Sequence, residues 1–357
     1  MGRELPSEKR IAYDIRGVLA QRIPPDWTFR ADEKVRGGPC RADLVAEVTS
    51  PKGETAVFVI EIKRFVPPRG VADLARGARE LASNEAPRAV PIVGAAYLSP
   101  RTREMLRDLG VGYIDTTGNV HIEATAPGLF VSAAGADRDP WPKPGGVQSL
   151  RGRGAGRAVR AIIDTAPPFG VRELARATST SAPTLSRVLG LLEREGIVTR
   201  RGRGPVVGVE WQDAIRRWAQ DYDQSRSNTA TALLEPRGLA RVTAKLQSAT
   251  FLYAATGAFA AQRFDPVAGA RAAALYVEDA AETSERLGLR ETDTGANVVL
   301  LEPFDPVVFD RTLERDGLRC VAPSQLAVDL LTGPGREPSQ GEQMLIWMKQ
   351  NEDVWRT

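Results

Sequence analysis

Apolar positions along the chain fall into three patterned blocks, separated by two stretches where the period lapses. The first block opens with a helix over about Ser7–Gln21, whose Ile11, Ile15, Val18 and Leu19 recur at helical spacing. Strand-like runs follow at Trp27–Val35, Ala42–Thr49 and Thr55–Arg64, the last two joined by the turn Ser50-Pro51-Lys52-Gly53-Glu54. The spacing then predicts a helix over Val71–Ser83, a strand over Gly94–Leu98, a helix over Arg101–Leu109 and a strand over Val111–Asp115. Between Asp137 and Gly156, proline, glycine and charge replace the apolar period. In the middle block, Ala158, Val159, Ile162 and Ile163 mark a helix over Gly156–Thr165, which Pro167 and Pro168 close. A short helix over Val171–Thr178 buries Leu174 and Ala175, and a longer one over Ala182–Glu195 buries Leu185, Val188, Leu189 and Leu192. Two short apolar runs, Ile197–Thr199 and Val206–Val209, flank Arg200-Arg201-Gly202-Arg203-Gly204-Pro205, a hairpin with a basic tip. A softer break near Gln224–Thr231 precedes the third block.

Helix, short helix, turn, longer helix and basic hairpin is the order of a winged helix-turn-helix. The words VRELA and SAPTLSRVLGLLEREGIV resemble bacterial winged-helix regulators over about 60 residues. The resemblance implies double-stranded DNA as partner. Ser181, Thr184, Ser186 and Arg187 would lie on the exposed front of the recognition helix, and Arg200, Arg201 and Arg203 would meet phosphates or a minor groove from the wing. Charge agrees with this placement. Residues 151–226 hold 14 arginines against eight acids, whereas residues 227–357 hold 13 basic and 18 acidic residues. A nearly neutral chain of net charge +3 thus hides a basic middle.

The first block carries a different chemistry. A hairpin centred on Lys52 sets Asp43 opposite Glu61, and Lys63 shares their face, two residues on. Leu44, Ala46, Val48, Phe58, Ile60 and Ile62 form the opposite, core-facing side. Two close carboxylates make a hard-oxygen site for Mg²⁺, and a lysine beside them suits a developing phosphate charge. Arg41-Ala42-Asp43 followed by Glu61-Ile62-Lys63 resembles the PD-(D/E)xK nuclease superfamily over about 130 residues. That resemblance implies Asp43 and Glu61 as metal ligands and Asp43, Glu61 and Lys63 as catalytic residues of a Mg²⁺-dependent DNA endonuclease. A further acid would come from the opening helix, Glu8 or Asp14. The bland alternatives are a Glu61–Lys63 surface pair and a nuclease fold kept as a scaffold. Gly112–His121 reads as a strand, a polar turn at Thr117-Gly118-Asn119, and His121 on the next strand's face.

In the third block, Ala255–Ala261 is a strand-to-helix glycine turn and Ala274–Asp279 a strand ending in acids, which faintly resembles a degenerate nucleotidyltransferase fold. Glu278 and Asp279 are adjacent and therefore point to opposite faces. The tail from Ser324 to Met348 reads as two helices around Gly333-Pro334-Gly335. A winged helix ahead of APSQLAVDLL and GPGR resembles antitoxins of the AbiE type, autoregulators of type IV toxin–antitoxin systems. This implies a transcriptional regulator or antitoxin-like protein with a toxin or other protein partner.

Length and composition bound these readings. A chain of 357 residues with 42% hydrophobic and 26% charged residues suits two or three soluble domains. The expected fold is α/β multidomain: a restriction-endonuclease-like domain over 1–140, a winged helix-turn-helix over 150–212 and an α+β domain over 230–357. Two distant cysteines, Cys40 and Cys320, provide neither a disulfide framework nor a zinc site, and the single histidine argues against a Ser-His-Asp triad. The start of the chain lacks the apolar core of a signal peptide, and no apolar stretch has membrane-spanning length, so a cytoplasmic protein with no membrane partner is expected.

Overall fold

In the computed structural model, the described residues are 5–32, 42–141, 149–202, 204–265, 269–292 and 294–357. The chain divides into two compact units, one from residues 1–146 and the other, the turn at 194–196 aside, from residues 147–357.

The first unit runs α1 (Glu8–Ala20), β1 (Thr28–Asp32), β2 (Leu44–Thr49), β3 (Thr55–Lys63), α2 (Val71–Glu85), β4 (Val90–Ala95), α3 (Pro100–Asp108), β5 (Gly112–Asp115), β6 (Val120–Ala124) and β7 (Leu129–Ala133). All seven strands form one sheet in sequential order. The hairpins β1–β2–β3 and β5–β6–β7 are antiparallel, and β3, β4 and β5 are parallel. Ser7 caps α1 by accepting the Arg10 N–H. Ile11, Ile15 and Leu19 of that helix pack on Leu44, Phe58, Ile60 and Ile92. Val71, Ala75 and Ala78 of α2 pack with Val93 and Tyr113, residues of the opposite sheet face. The β2–β3 register pairs Leu44 with Ile60 and Ala46 with Phe58, the hairpin centring expected from the turn at Lys52. Strand β4 begins four residues earlier than its apolar pattern predicts. Pro91, which lacks an N–H, sits second in the strand, where proline costs the ladder least.

The second unit continues with α4 (Arg153–Asp164), α5 (Val171–Ala177), α6 (Ala182–Arg194), β8 (Val198–Arg200), β9 (Val206–Val209), α7 (Trp211–Ala219), α8 (Gln224–Ser227), β10 (Thr229–Leu234), α9 (Leu239–Gln247), β11 (Tyr253–Thr256) and α10 (Gly257–Ala261). After these come β12 (Ala273–Val277), α11 (Ala280–Leu287), β13 (Arg290–Glu291), β14 (Val298–Glu302), β15 (Leu313–Arg315), β16 (Leu318–Cys320), α12 (Pro323–Leu331), α13 (Glu337–Gln350) and α14 (Glu352–Trp355). Its larger sheet has the order β13-β10-β14-β12-β11-β16-β15, and β8 pairs β9 separately. One apolar core runs without interruption from Leu150 through the helix-turn-helix leucines to Trp355. Gly156 of α4 allows close approach, since a Cβ there would lie 2.8 Å from the Phe304 ring. Trp211 and Trp355 meet edge to face at 5.1 Å.

Candidate nucleic-acid interface

Helices α4, α5 and α6 form a three-helix core, with Ala158, Val159, Ile162, Ile163, Leu185, Val188, Leu189 and Leu192 buried as the periodicity predicts. The turn between α5 and α6 is held by side-chain oxygens. Thr178 Oγ1 donates to the Leu174 carbonyl at 2.7 Å, and Ser179 takes a left-handed backbone with φ 51°. Gly196, at φ 73°, lets the chain leave α6, and the Ile197 N–H closes on the Leu192 carbonyl at 2.8 Å. The two-stranded wing is extended by a bridge from Phe169 to Val206.

On α6, Ser186 and Arg187 are exposed, Thr184 is half-buried, and Ser181 is exposed just ahead of the helix. Arg187 lies back along its helix, donating to the Pro183 carbonyl and, at 3.2 Å, to Thr184 Oγ1. Arg200 folds over the wing onto the Gly204 carbonyl, and Arg201 is exposed at the tip. Arg203, the third wing arginine, lies outside the described residues. The basic count of the block overstates its solvent-facing charge. Arg160 and Arg217 are buried in ion pairs with Asp164 and Asp221, and Arg157 pairs with Asp305 at 2.7 Å. Arg216 pairs with Glu342. Arg157 and Arg160 tie α4, and Arg216 ties α7, to the rest of the unit.

Residues 155–202 match the IclR helix-turn-helix domain. The basic winged helix is therefore a DNA-binding helix-turn-helix domain. No curated protein matches the chain. Among solved structures, "Structure of EndoMS in apo form" aligns at 17% identity over 32% of this chain and 47% of that one. Its TM-score is 0.21. No helix among the described residues is long and apolar enough to cross a membrane.

In the first unit, Asp43 stands just before β2 and its Oδ2 accepts the Ile62 N–H at 2.7 Å. Glu61 and Lys63 lie on the α2 face of β3, with Lys63 Nζ 2.9 Å from Glu61 Oε1. Glu61 Oε2 is buried and has no hydrogen-bond partner, and a Cβ on Gly77 of α2 would stand 3.6 Å from it. Burial lowers the Lys63 pKa, but the hydrogen bond to Glu61 and the charges of Glu61, Asp43 and Glu8 outweigh it and hold the ammonium above its ordinary value. Of the two opening-helix acids, Asp14 is engaged by Arg10 at 3.0 Å. Among the described residues, no cluster of three or more His, Cys, Asp or Glu side chains is disposed to hold a metal. Arg41 and Cys40 lie outside the described residues. The Thr117-Gly118-Asn119 turn is internally satisfied: Asp115, fully buried, accepts from the N–H groups of Thr117, Asn119 and Leu98. His121 stacks on Tyr113 at 5.6 Å.

In the second unit, β11 and β12 are antiparallel, with Thr256 beside Ala274 and Tyr253 beside Val277. Glu278 and Asp279 therefore stand at the opposite strand end from the Gly257 turn, and Asp279 caps α11 by accepting the Glu282 N–H. The acids and the glycine turn of the nucleotidyltransferase-like reading are not brought together. What the sequence pattern missed is a buried polar cluster around Asp329. Its carboxylate accepts from Tyr222, Gln325, Tyr276 and, at 2.6 Å, Thr256. Burial pushes its pKa up to about 6 despite those donors. Burial, followed by the Asp329 charge, raises Tyr222 and Tyr276 well above the ordinary tyrosine value. Gln325 links this cluster to Arg160 of α4. The signal in the sequence was a single acid within the apolar run Leu326-Ala327-Val328-Asp329-Leu330.

Proposed function

We propose that the protein is a sequence-selective, double-stranded-DNA-binding transcriptional regulator that reads its site with α6 and grips the backbone with the wing. The observation that carries this reading is the match of residues 155–202 to a helix-turn-helix domain whose α6 buries its leucines and exposes Ser186 and Arg187. Base edges in a major groove are read by such a helix, while wing arginines neutralise phosphates. The antitoxin-like role, with a toxin as protein partner, is the finer form of this proposal. Its support is the APSQLAVDLL and GPGR resemblance alone.

The test is binding to a selected duplex and to random DNA across a salt series. Arg187→Ala should weaken the selected duplex more than the random one. Arg201→Ala and Arg203→Ala should weaken both and reduce the salt slope by about one counterion each. Equal affinity of the wild type and the triple variant at low salt would refute the reading.

A second reading, Mg²⁺-dependent phosphodiester cleavage by the first unit, is favoured by one observation: Glu61 Oε2 is a buried carboxylate oxygen left without a partner. Asp43 and Glu61 would hold the ion, which supplies charge neutralisation and an activated water when bound. Lys63, held cationic by its acidic neighbours, would offer positive charge to a phosphate.

A further inference from the structure

The first unit has a recess at the end of its sheet opposite Glu61 and Lys63. Strands β4 and β5 enter the sheet at Val90 and Gly112, and beside them opens a cavity of about 610 Å³. That volume can seat a small molecule, with its charged lining residues Arg88, Arg107 and Glu123 exposed to solvent. Arg88, from the turn after α2, and Arg107, from the last turn of α3, line it together with His121 and Glu123 of β6 and Thr125. Neither guanidinium has an ion-pair or hydrogen-bond partner among the described residues, and the same holds for the Glu123 carboxylate. Arg88 also adopts a left-handed backbone, φ 68°, which an L side chain takes only where its surroundings impose it. The His121 ring is braced by Tyr113 on one side and the edge of Phe130 on the other, so it meets the cavity as a fixed wall.

We infer that this cavity binds a small phosphate monoester whose organic part carries hydroxyl groups. Two guanidinium forks match the geometry and charge of a terminal phosphate, and arginine is the side chain suited to that bidentate contact. Glu123 is an acceptor only, so it excludes a second anionic group and selects a hydroxyl donor on the body of the ligand.

The test is isothermal titration calorimetry of the full chain with ribose 5-phosphate, inorganic phosphate and ribose. Ribose 5-phosphate should bind more tightly than inorganic phosphate, and ribose should not bind. Arg88→Ala and Arg107→Ala should each weaken the ester by about tenfold with unchanged ligand-free melting, because both side chains are exposed. Glu123→Ala, which removes the acceptor, should erase the preference for the ester while leaving inorganic phosphate binding in place. Unaltered binding by the double arginine variant, or no heat with the ester at about 5 mM, would overturn the inference. So would a loss of affinity for a short random duplex in that variant with no ester binding in the wild type, which would assign the arginines to DNA phosphates.

Discussion

Replacing Arg160 by methionine tests whether the basic middle of the chain serves DNA or the interior. Arg160 is 1% exposed and donates to Asp164 at 3.0 Å, to the Val307 and Asp310 carbonyls at 3.2 Å each and to Gln325 Oε1 at 3.3 Å. Methionine keeps much of the volume and removes every donor. Asp164, 3% exposed, would retain the Ser324 hydroxyl and lose its counter-charge. Breaking a buried ion pair from one side costs about 3–5 kcal/mol. For a cooperative unit of this size, each kcal/mol lowers the melting temperature by about 2–4 °C, so the expected fall is roughly 6–20 °C. Scanning calorimetry of the full chain should show this in the transition of the 147–357 unit. Adding Asp164→Leu should recover only part of the loss, since it removes the orphaned charge but leaves the Val307 and Asp310 carbonyls and the Ser324 hydroxyl short of a partner. The salt slope of DNA binding should stay at the wild-type value. A shift below about 3 °C, or a slope reduced by one counterion, would show that Arg160 faces solvent or phosphate and would refute the reasoning.

The Asp329 carboxyl is raised by burial above its unfolded value, so the native state binds a proton that the unfolded chain has already lost. Stability should therefore rise as pH falls from about 7 towards 4. The gain corresponds to about 3 kcal/mol for a shift from 3.8 to about 6, and Asp329→Asn should flatten that profile in urea melts. Leu189→Ala, at a fully buried position of α6, should cost about 2–5 kcal/mol in the same assay and abolish selective DNA binding at elevated temperature. If the first unit binds Mg²⁺ through Asp43 and Glu61, the ion should raise its melting temperature and Asp43→Asn should remove that rise. Lys63→Ala should then keep metal binding and lose any cleavage; cleavage persisting in Asp43→Asn, Glu61→Gln and Lys63→Ala together would place the chemistry elsewhere.

The residues of the helix-turn-helix were legible because its signals are local. Helical spacing, capping hydroxyls, Gly196 and a glycine-rich basic tip each act within a few residues of the feature they specify. The β2–β3 register was legible for the same reason: a turn fixes which residues face each other, and alternation fixes which side is buried. Tertiary structure alone decided which charges are solvent-facing. Arg160 and Arg187 look alike in sequence, yet one is sealed among Asp164, Gln325 and backbone carbonyls and the other is exposed on α6. It also decided that Glu278 and Asp279 stand away from Gly257, because strand direction is not written in either segment. The Asp329 cluster gathers Tyr222, Thr256, Tyr276 and Gln325 from separate elements, and burial of a carboxylate depends on what closes over it. Periodicity carries the information for a face; the partner of that face is set by long-range packing, which no local pattern encodes.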